Sequence, residues 1–168
     1  MDTLAEVVAD SDPACPNKVL IFSQWTRMLD LMQAPLAAAS HEYARIDGTM
    51  SVARRQQELT RFADSGTCNI LLMSLKAGGV GLNITAANVV FLMDLWWNPA
   101  VEDQAVARAH RMSQLRDVHV HRFIIQDTIE QRILAIHDRK RRAADTALAG
   151  GAVAATMSEA EIVEVFLG

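Results

Sequence analysis

Only two of the 168 residues are cysteine, Cys15 and Cys68. A disulfide framework is therefore not the basis of this fold, and reduced thiols in a cytosolic or nuclear compartment fit better. A basic excess is missing too: 16 Lys and Arg stand against 20 Asp and Glu, a net charge of −4. Such a balance does not coat nucleic acid by bulk charge, so any contact of that kind needs a local patch. No apolar run approaches the length required to cross a bilayer. The amino-terminal MDTLAEVVADSD is acidic where a secretion signal is basic and then apolar. No internal repeat is visible.

Two further absences concern chemistry. None of the 8 glycines is followed by Lys, so the lysine that grips the β- and γ-phosphates in a Walker A loop is missing. Nor does any Asp immediately precede a Glu, the acidic pair that would hold Mg²⁺ and position water in an ATPase. The chain is expected to be unable to complete a phosphoryl-transfer site by itself.

What is present is enough apolar residue, 51%, for an ordinary single core. KVLIF (18–22), YARI (43–46), NILLMS (69–74), VVFLMD (89–94) and VHVHRFII (118–125) read as five strands. Between them lie helical patterns: one carrying Trp25, Met28, Leu29, Leu31 and Met32, which Pro35 should interrupt or restart, and one opened by Ser51 with Leu59 and Phe62 inside. A polar helix is expected from Pro99, and a long one to about Leu148, opened by a Thr128–Gln131 capping box. Strands and helices alternating at this pitch predict an α/β fold, a parallel sheet flanked by helices. The expected organisation is a lead-in helix and linker over 1–16, the lobe over 17–148, a flexible linker over 149–157 and a docking helix over 158–168 with Ile162, Val165 and Phe166.

In parallel sheets ligands bind beyond the carboxyl ends of the strands. Ser23, Gln24, Asp47, Gly48, Ser74 to Gly81 and Asp94 to Asn98 nearly all fall there. The stretch 71–114 concentrates the rest. Its glycines at 78, 79 and 81 free the backbone for close approach to a ligand, although AGGVG also suits a tight turn that binds nothing. Gln104, Arg108 and Arg111, spaced four and three apart, would share one narrow stripe of a helix. Two guanidiniums there repel each other unless an anion lies opposite, and Arg is the side chain whose fork best matches phosphate. The bland alternative is a solvated face, but Glu102 and Asp103 lie off that stripe.

Trp96 and Trp97 suit either a core cap or a platform that braces a nucleic-acid strand. His119 and His121 share a strand face without a cysteine or carboxylate at ligand spacing, which argues against a metal site. RKRR (139–142) reads as a solvated helix end, with a DNA-backbone contact as the lesser alternative.

Taken in order, KVLIFSQW, RIDGTMS, LLMSLKAGGVGLN, DLWWNP and EDQAVARAHRMSQ resemble the second RecA-like lobe of Swi/Snf-type ATPases, helicase-related translocases on double-stranded DNA. The resemblance covers about residues 17–148. SLKAGG followed by WWNP points to this group rather than to RNA-unwinding DEAD-box proteins. The tail, ending EIVEVFLG, is similar to the branch containing the helicase-like transcription factor and its DNA-damage-tolerance relatives.

The resemblance implies a P-loop NTPase-like lobe without its own Walker A, serving ATP with Mg²⁺ held mainly by a first lobe that this sequence does not contain. Arg108 and Arg111 match paired arginines that reach the γ-phosphate, and Gln104 begins that motif. Ser74, Gly79, Gly81 and Asn83 match the motif that couples nucleotide to DNA. Ser23, Gln24, Asp47 and Gly48 match strand-end motifs near the DNA track, with Trp97 and Asn98 in the aromatic turn beside it. Implied partners are double-stranded DNA, the first lobe in cis or in trans, and nucleosomes or replication and repair proteins, in the nucleus of a eukaryotic source. Ser113 and Leu95 depart from the family's usual Gly and Pro. The rival reading is a non-catalytic DNA- or protein-binding module that keeps the fold without the activity.

Overall fold

The computed structural model describes residues 2–10, 12, 15–79 and 82–148, with the backbone course only for 141–148. The linker and docking helix expected over 149–168 lie outside the described residues. Helix α1 (Asp2–Ala9) precedes β1 (Val19–Ser23), α2 (Thr26–Ala38), β2 (Glu42–Ile46), α3 (Val52–Asp64) and β3 (Cys68–Ser74). A 3-10 turn (Leu75–Gly79) follows, then β4 (Val89–Leu92), α4 (Pro99–Val106), β5 (His119–Arg122) and α5 (Ile129–Leu148).

The strands form one parallel five-stranded sheet in the order β2-β3-β1-β4-β5. Central β1 is buried at every position, as a strand covered on both faces must be. Register separates the faces: Val19 stands beside Ile70 and Val89, Leu20 beside Leu71 and Val90. Val19, Ile21, Ile70, Leu72 and Phe91 pack beneath α1 and α2 through Leu4, Leu29 and Leu36. Leu20, Phe22, Leu71, Met73 and Leu92 pack on the other face with Phe62 of α3 and Ala105 of α4. A third, smaller cluster joins Leu95 to Ile133 and Ile136 of α5, with Trp97 and Ile124 against it.

Several local expectations are corrected. Pro35 neither interrupts nor restarts α2, which runs unbroken from Thr26 to Ala38. The proline stands in the last turn, where it removes one backbone bond, and buried Leu36 anchors the end. A left-handed Ser40 (φ 58°) then closes the helix, the N–H of His41 reaching Leu36 O at 2.9 Å. The first glycines of the loop, Gly78 and Gly79, belong to the 3-10 turn that follows β3. Strand β5 ends at Arg122 rather than Ile125, because β4 stops at Leu92 and offers no further ladder partner. At α5 the cap is shifted by one position. Thr128 Oγ1 accepts from Glu130 N, and Gln131 Oε1 accepts from Asp127 N rather than from Thr128.

Candidate functional site

The carboxyl edge of the sheet is wired by carboxylates. Asp94, just past β4, accepts the Ser23 hydroxyl and the Gln24 N–H, the latter at 2.8 Å to Oδ1. Ser23 Oγ in turn accepts from Trp25 N at 3.0 Å. Burial pushes the Asp94 carboxyl above its ordinary range, against the pull of those two donors, and the charges of Glu130 and Glu102 add to the rise. Asp47, past β2, behaves oppositely. Burial raises it, but the Thr49 hydroxyl and N–H and the Arg45 guanidinium outweigh burial and hold it below the usual carboxylate range. Its contacts are 2.6 Å from Thr49 Oγ1 and 3.0 Å from Arg45 Nε.

The side chains of Ser23, Gln24 and Asp47 are thus buried. Ser23 and Asp47 shape their loops and present no free donor outward. Gly48 is exposed, and nothing lies within 4 Å of where a Cβ would stand. Asn98 caps α4, its Oδ1 accepting from Ala100 N at 3.1 Å, with Pro99 at the first helical position. Trp97 is half-buried against the α5 cluster, so one tryptophan face serves the core.

The arginines lie elsewhere. Helix α4 has 8 residues, so its far end stands about 12 Å from Asn98. The expected single stripe of Gln104, Arg108 and Arg111 is overturned: Gln104 is on the helix, while both arginines follow its last residue, Val106. The cause is competition for carbonyls. Arg108 O, which would continue the helix, accepts instead from Ile84 N at 3.0 Å. Gln114 Nε2 takes Ala87 O at 2.7 Å and Thr85 O at 3.0 Å, and reaches Ala109 O at 3.4 Å. Gln114 is a positioning residue that spacing did not single out, because its partners are backbone carbonyls far away in sequence.

The two arginines nevertheless stay close enough to interact. Burial and then the Arg111 charge push the Arg108 guanidinium below its usual value. Among the described residues neither has a carboxylate within ion-pair distance. A half-buried cation facing a second cation fits a polyanion such as a nucleotide phosphate. Met112 and Leu115 beside them are almost wholly exposed.

The residues matched by resemblance to the coupling motif come next. Ser74 is buried at the carboxyl end of β3, Gly79 ends the 3-10 turn, and Asn83 is exposed just before Ile84 meets Arg108. Gly81 lies outside the described residues. Asn83 also lines a cleft of about 480 Å³ with the end of α3, but its one charged wall residue, Asp64, would repel phosphate. His119 is exposed and His121 lies edge-on to Phe91, ring centres 5.1 Å apart. In RKRR, Arg139 and Lys140 lie on α5, and the side chains at 141 and 142 lie outside the described residues. Within these residues no helix is long and apolar enough to cross a membrane.

Sequence and structure comparisons agree with this architecture. The helicase conserved C-terminal domain family matches residues 1–113. The DNA repair protein RAD5A of Arabidopsis thaliana is 50% identical over 132 residues, 79% of this chain and 13% of that protein. The helicase-like transcription factor of Oryctolagus cuniculus is 40% identical over 168 residues, 98% of this chain and 17% of its own length. The crystal structure of the C-terminal part of the Fun30 ATPase domain superposes with a TM-score of 0.73 at 34% identity, covering 80% of this chain and 43% of that one. This chain therefore spans less than a fifth of those two curated relatives. With its all-parallel sheet and its matched motifs, the chain belongs to the helicase conserved C-terminal domain family, as a RecA-like lobe of the Swi/Snf type related to Rad5 and the helicase-like transcription factor.

Proposed function

We propose that this lobe supplies half of an ATP-dependent double-stranded DNA translocase acting in chromatin remodelling, DNA repair or damage tolerance in the nucleus. The observation that carries the reading is the pair Arg108 and Arg111, one half-buried and one exposed, close enough to repel and with no carboxylate at ion-pair distance among the described residues. In a two-lobe enzyme ATP supplies the phosphoryl group, with Mg²⁺ held mainly by the first lobe. Arg111 is the principal finger, neutralising charge that develops on the transferring phosphate, and Arg108 assists. Gln104, on α4, begins the group matched to this role.

The DNA side is the carboxyl edge, which the Asp94 and Asp47 networks hold rigid. There the loops at Ser23–Gln24 and Asp47–Gly48 offer backbone, and Trp97 with Asn98 forms the adjoining turn. Such contacts grip phosphate without reading bases, as a translocase requires. Ser74, Gly79 and Asn83 are the residues assigned to relay one region to the other.

The test joins this chain to a first lobe that carries a phosphate-binding loop. Duplex DNA should stimulate ATP hydrolysis by that protein, and the isolated chain should be silent. Arg111→Ala should lower stimulated turnover by about 10³-fold or more, the range of arginine fingers, while DNA affinity holds. Near-normal turnover in that variant would sink the assignment.

A further inference from the structure

Glu102 is the one carboxylate with no solvent exposure among the described residues. It sits on α4, between the tryptophan turn and the arginines. Its Oε1 accepts the Trp96 N–H at 3.1 Å and its Oε2 accepts Arg122 Nε–H at 3.1 Å. Across from it, His137 of α5 is equally sealed. Neither ring nitrogen of His137 has a hydrogen-bond partner among the described residues, and Nδ1 stands 3.9 Å from the same Oε1. An unpartnered buried imidazole is an expensive thing to keep, and a buried carboxylate is no better for stability than an apolar side chain of its size. Packing alone does not account for both in one place.

The geometry does suggest a use. Oε1 stands between two nitrogens: the Trp96 backbone N–H it holds and the His137 Nδ1 it does not bond. We propose that Glu102 is a positioning residue whose Oε1 exchanges the Trp96 N–H for the His137 Nδ1–H when the Trp96–Trp97 turn shifts, and that α4 carries this exchange to Arg108 and Arg111. The inference rests on the two-lobe reading above and adds the link between its DNA side and its arginines. The displacement required is small, about 1 Å, which closes 3.9 Å to an ordinary hydrogen bond. No proton leaves its atom: the neutral imidazole with hydrogen on Nδ1 suffices. One hydrogen bond is lost and one gained, while Arg122 stays on Oε2, so the carboxylate is paired throughout. Two arrangements so balanced can be biased by a ligand that touches only the turn.

The test uses the same two-lobe protein, with ATP turnover measured with and without duplex DNA, alongside DNA affinity and thermal melting. His137→Phe keeps the buried volume and removes the alternative donor. It should leave DNA-free turnover and DNA affinity within about twofold of wild type while cutting the stimulation by DNA about tenfold, a typical coupling between sites. Glu102→Gln should do the same, and His137→Gln, which keeps an N–H donor, should recover most of the stimulation.

Full stimulation in His137→Phe would overturn the proposal. So would a fall in basal and stimulated turnover by the same factor, which marks a merely structural role. Arg111→Ala separates the two layers. If it retains turnover, the two-lobe reading fails; if it loses turnover while His137→Phe keeps its stimulation, only the exchange fails.

Discussion

The two regions joined by α4 solve the problem of buried charge in opposite ways. At the carboxyl edge, among the described residues, the buried acids that follow the strands are answered within the chain: Asp94 by Ser23 and Gln24, Asp47 by Thr49 and Arg45. Past the other end of α4, Arg108 and Arg111 meet each other with repulsion and, among the described residues, no acid. Satisfied charge fixes shape, while charge left unsatisfied at a rim marks where a partner must bring the opposite sign. On this reading the carboxyl edge is a rigid frame and the arginine segment is the part whose chemistry is completed from outside.

The largest expected effect would break that contrast directly. Arg111→Ala in the two-lobe protein should remove about 4 kcal/mol or more of transition-state stabilisation, the equivalent of a thousandfold in rate. The melting temperature of the chain should barely move, because Arg111 is exposed and has no internal partner among the described residues. A melting loss as large as a core mutation would make Arg111 part of the frame instead.

The frame predicts the reverse pattern. Asp94→Ala strands the buried Gln24 N–H, worth roughly 1–3 kcal/mol when left without an acceptor, while the Ser23 hydroxyl keeps the Trp25 carbonyl at 3.1 Å. A loss of about 2 kcal/mol in chemical denaturation is expected. An effect below about 0.5 kcal/mol, the scatter of ordinary surface changes, would mean that water replaces the carboxylate and the edge is not rigid.

Asp47 sharpens the comparison through pH. Its folded pKa is depressed, so its contribution to stability is present above the unfolded value of about 3.9 and is lost as pH falls through the folded value. Asp47→Asn keeps one acceptor for Thr49 but loses the charge on Arg45. Stability at neutral pH should drop by about 1 kcal/mol. The acid-side slope below the ordinary carboxylate range should shrink, which urea titrations across pH 2 to 5, an interval of about one unit or more on either side of that range, would read out. An unchanged slope would take Asp47 out of the frame. Asp94 has the opposite sign: with a raised folded pKa, its ionisation weakens the fold as pH climbs from the unfolded to the folded value.

How far the sequence disclosed this contrast depends on the range of the forces involved. The strands were legible because short apolar runs bounded by polar turns have few other uses, but runs buried on both faces do not say which face each residue takes. The starts of α3 at Ser51 and of α4 at Pro99 were legible for the same local reason, whereas the capping role of Asn98 was not read. The end of α4 was not. Val101 to Gln114 continues a helical pattern, and what stops the helix is Ile84 and Gln114 claiming its carbonyls. Glu102 was hidden more deeply, since a glutamate beside an aspartate in a polar helix reads as solvent-facing. Only the fold reveals that Arg122 and the Trp96 N–H enclose it. Spacing singled out the arginines and the glycines, but it put the arginines on one straight stripe that the end of α4 at Val106 breaks.

The smallest effect is the most pointed, because it concerns a sign. Burial and Arg111 both disfavour the charge on Arg108, and no acid among the described residues offsets them. Arg108→Gln removes that charge, keeps a polar end and most of the stem, and leaves the backbone bond from Ile84 untouched. The lone chain should therefore melt no lower than wild type, and on the order of a degree higher. The same substitution in the two-lobe protein should slow stimulated ATP hydrolysis. A residue that weakens the chain in isolation and speeds the assembled enzyme is the expected mark of a site built for an absent anion. If Arg108→Gln instead lowers melting by more than about 2 °C, the guanidinium has an internal role that outweighs its repulsion, and Arg108 belongs with the frame.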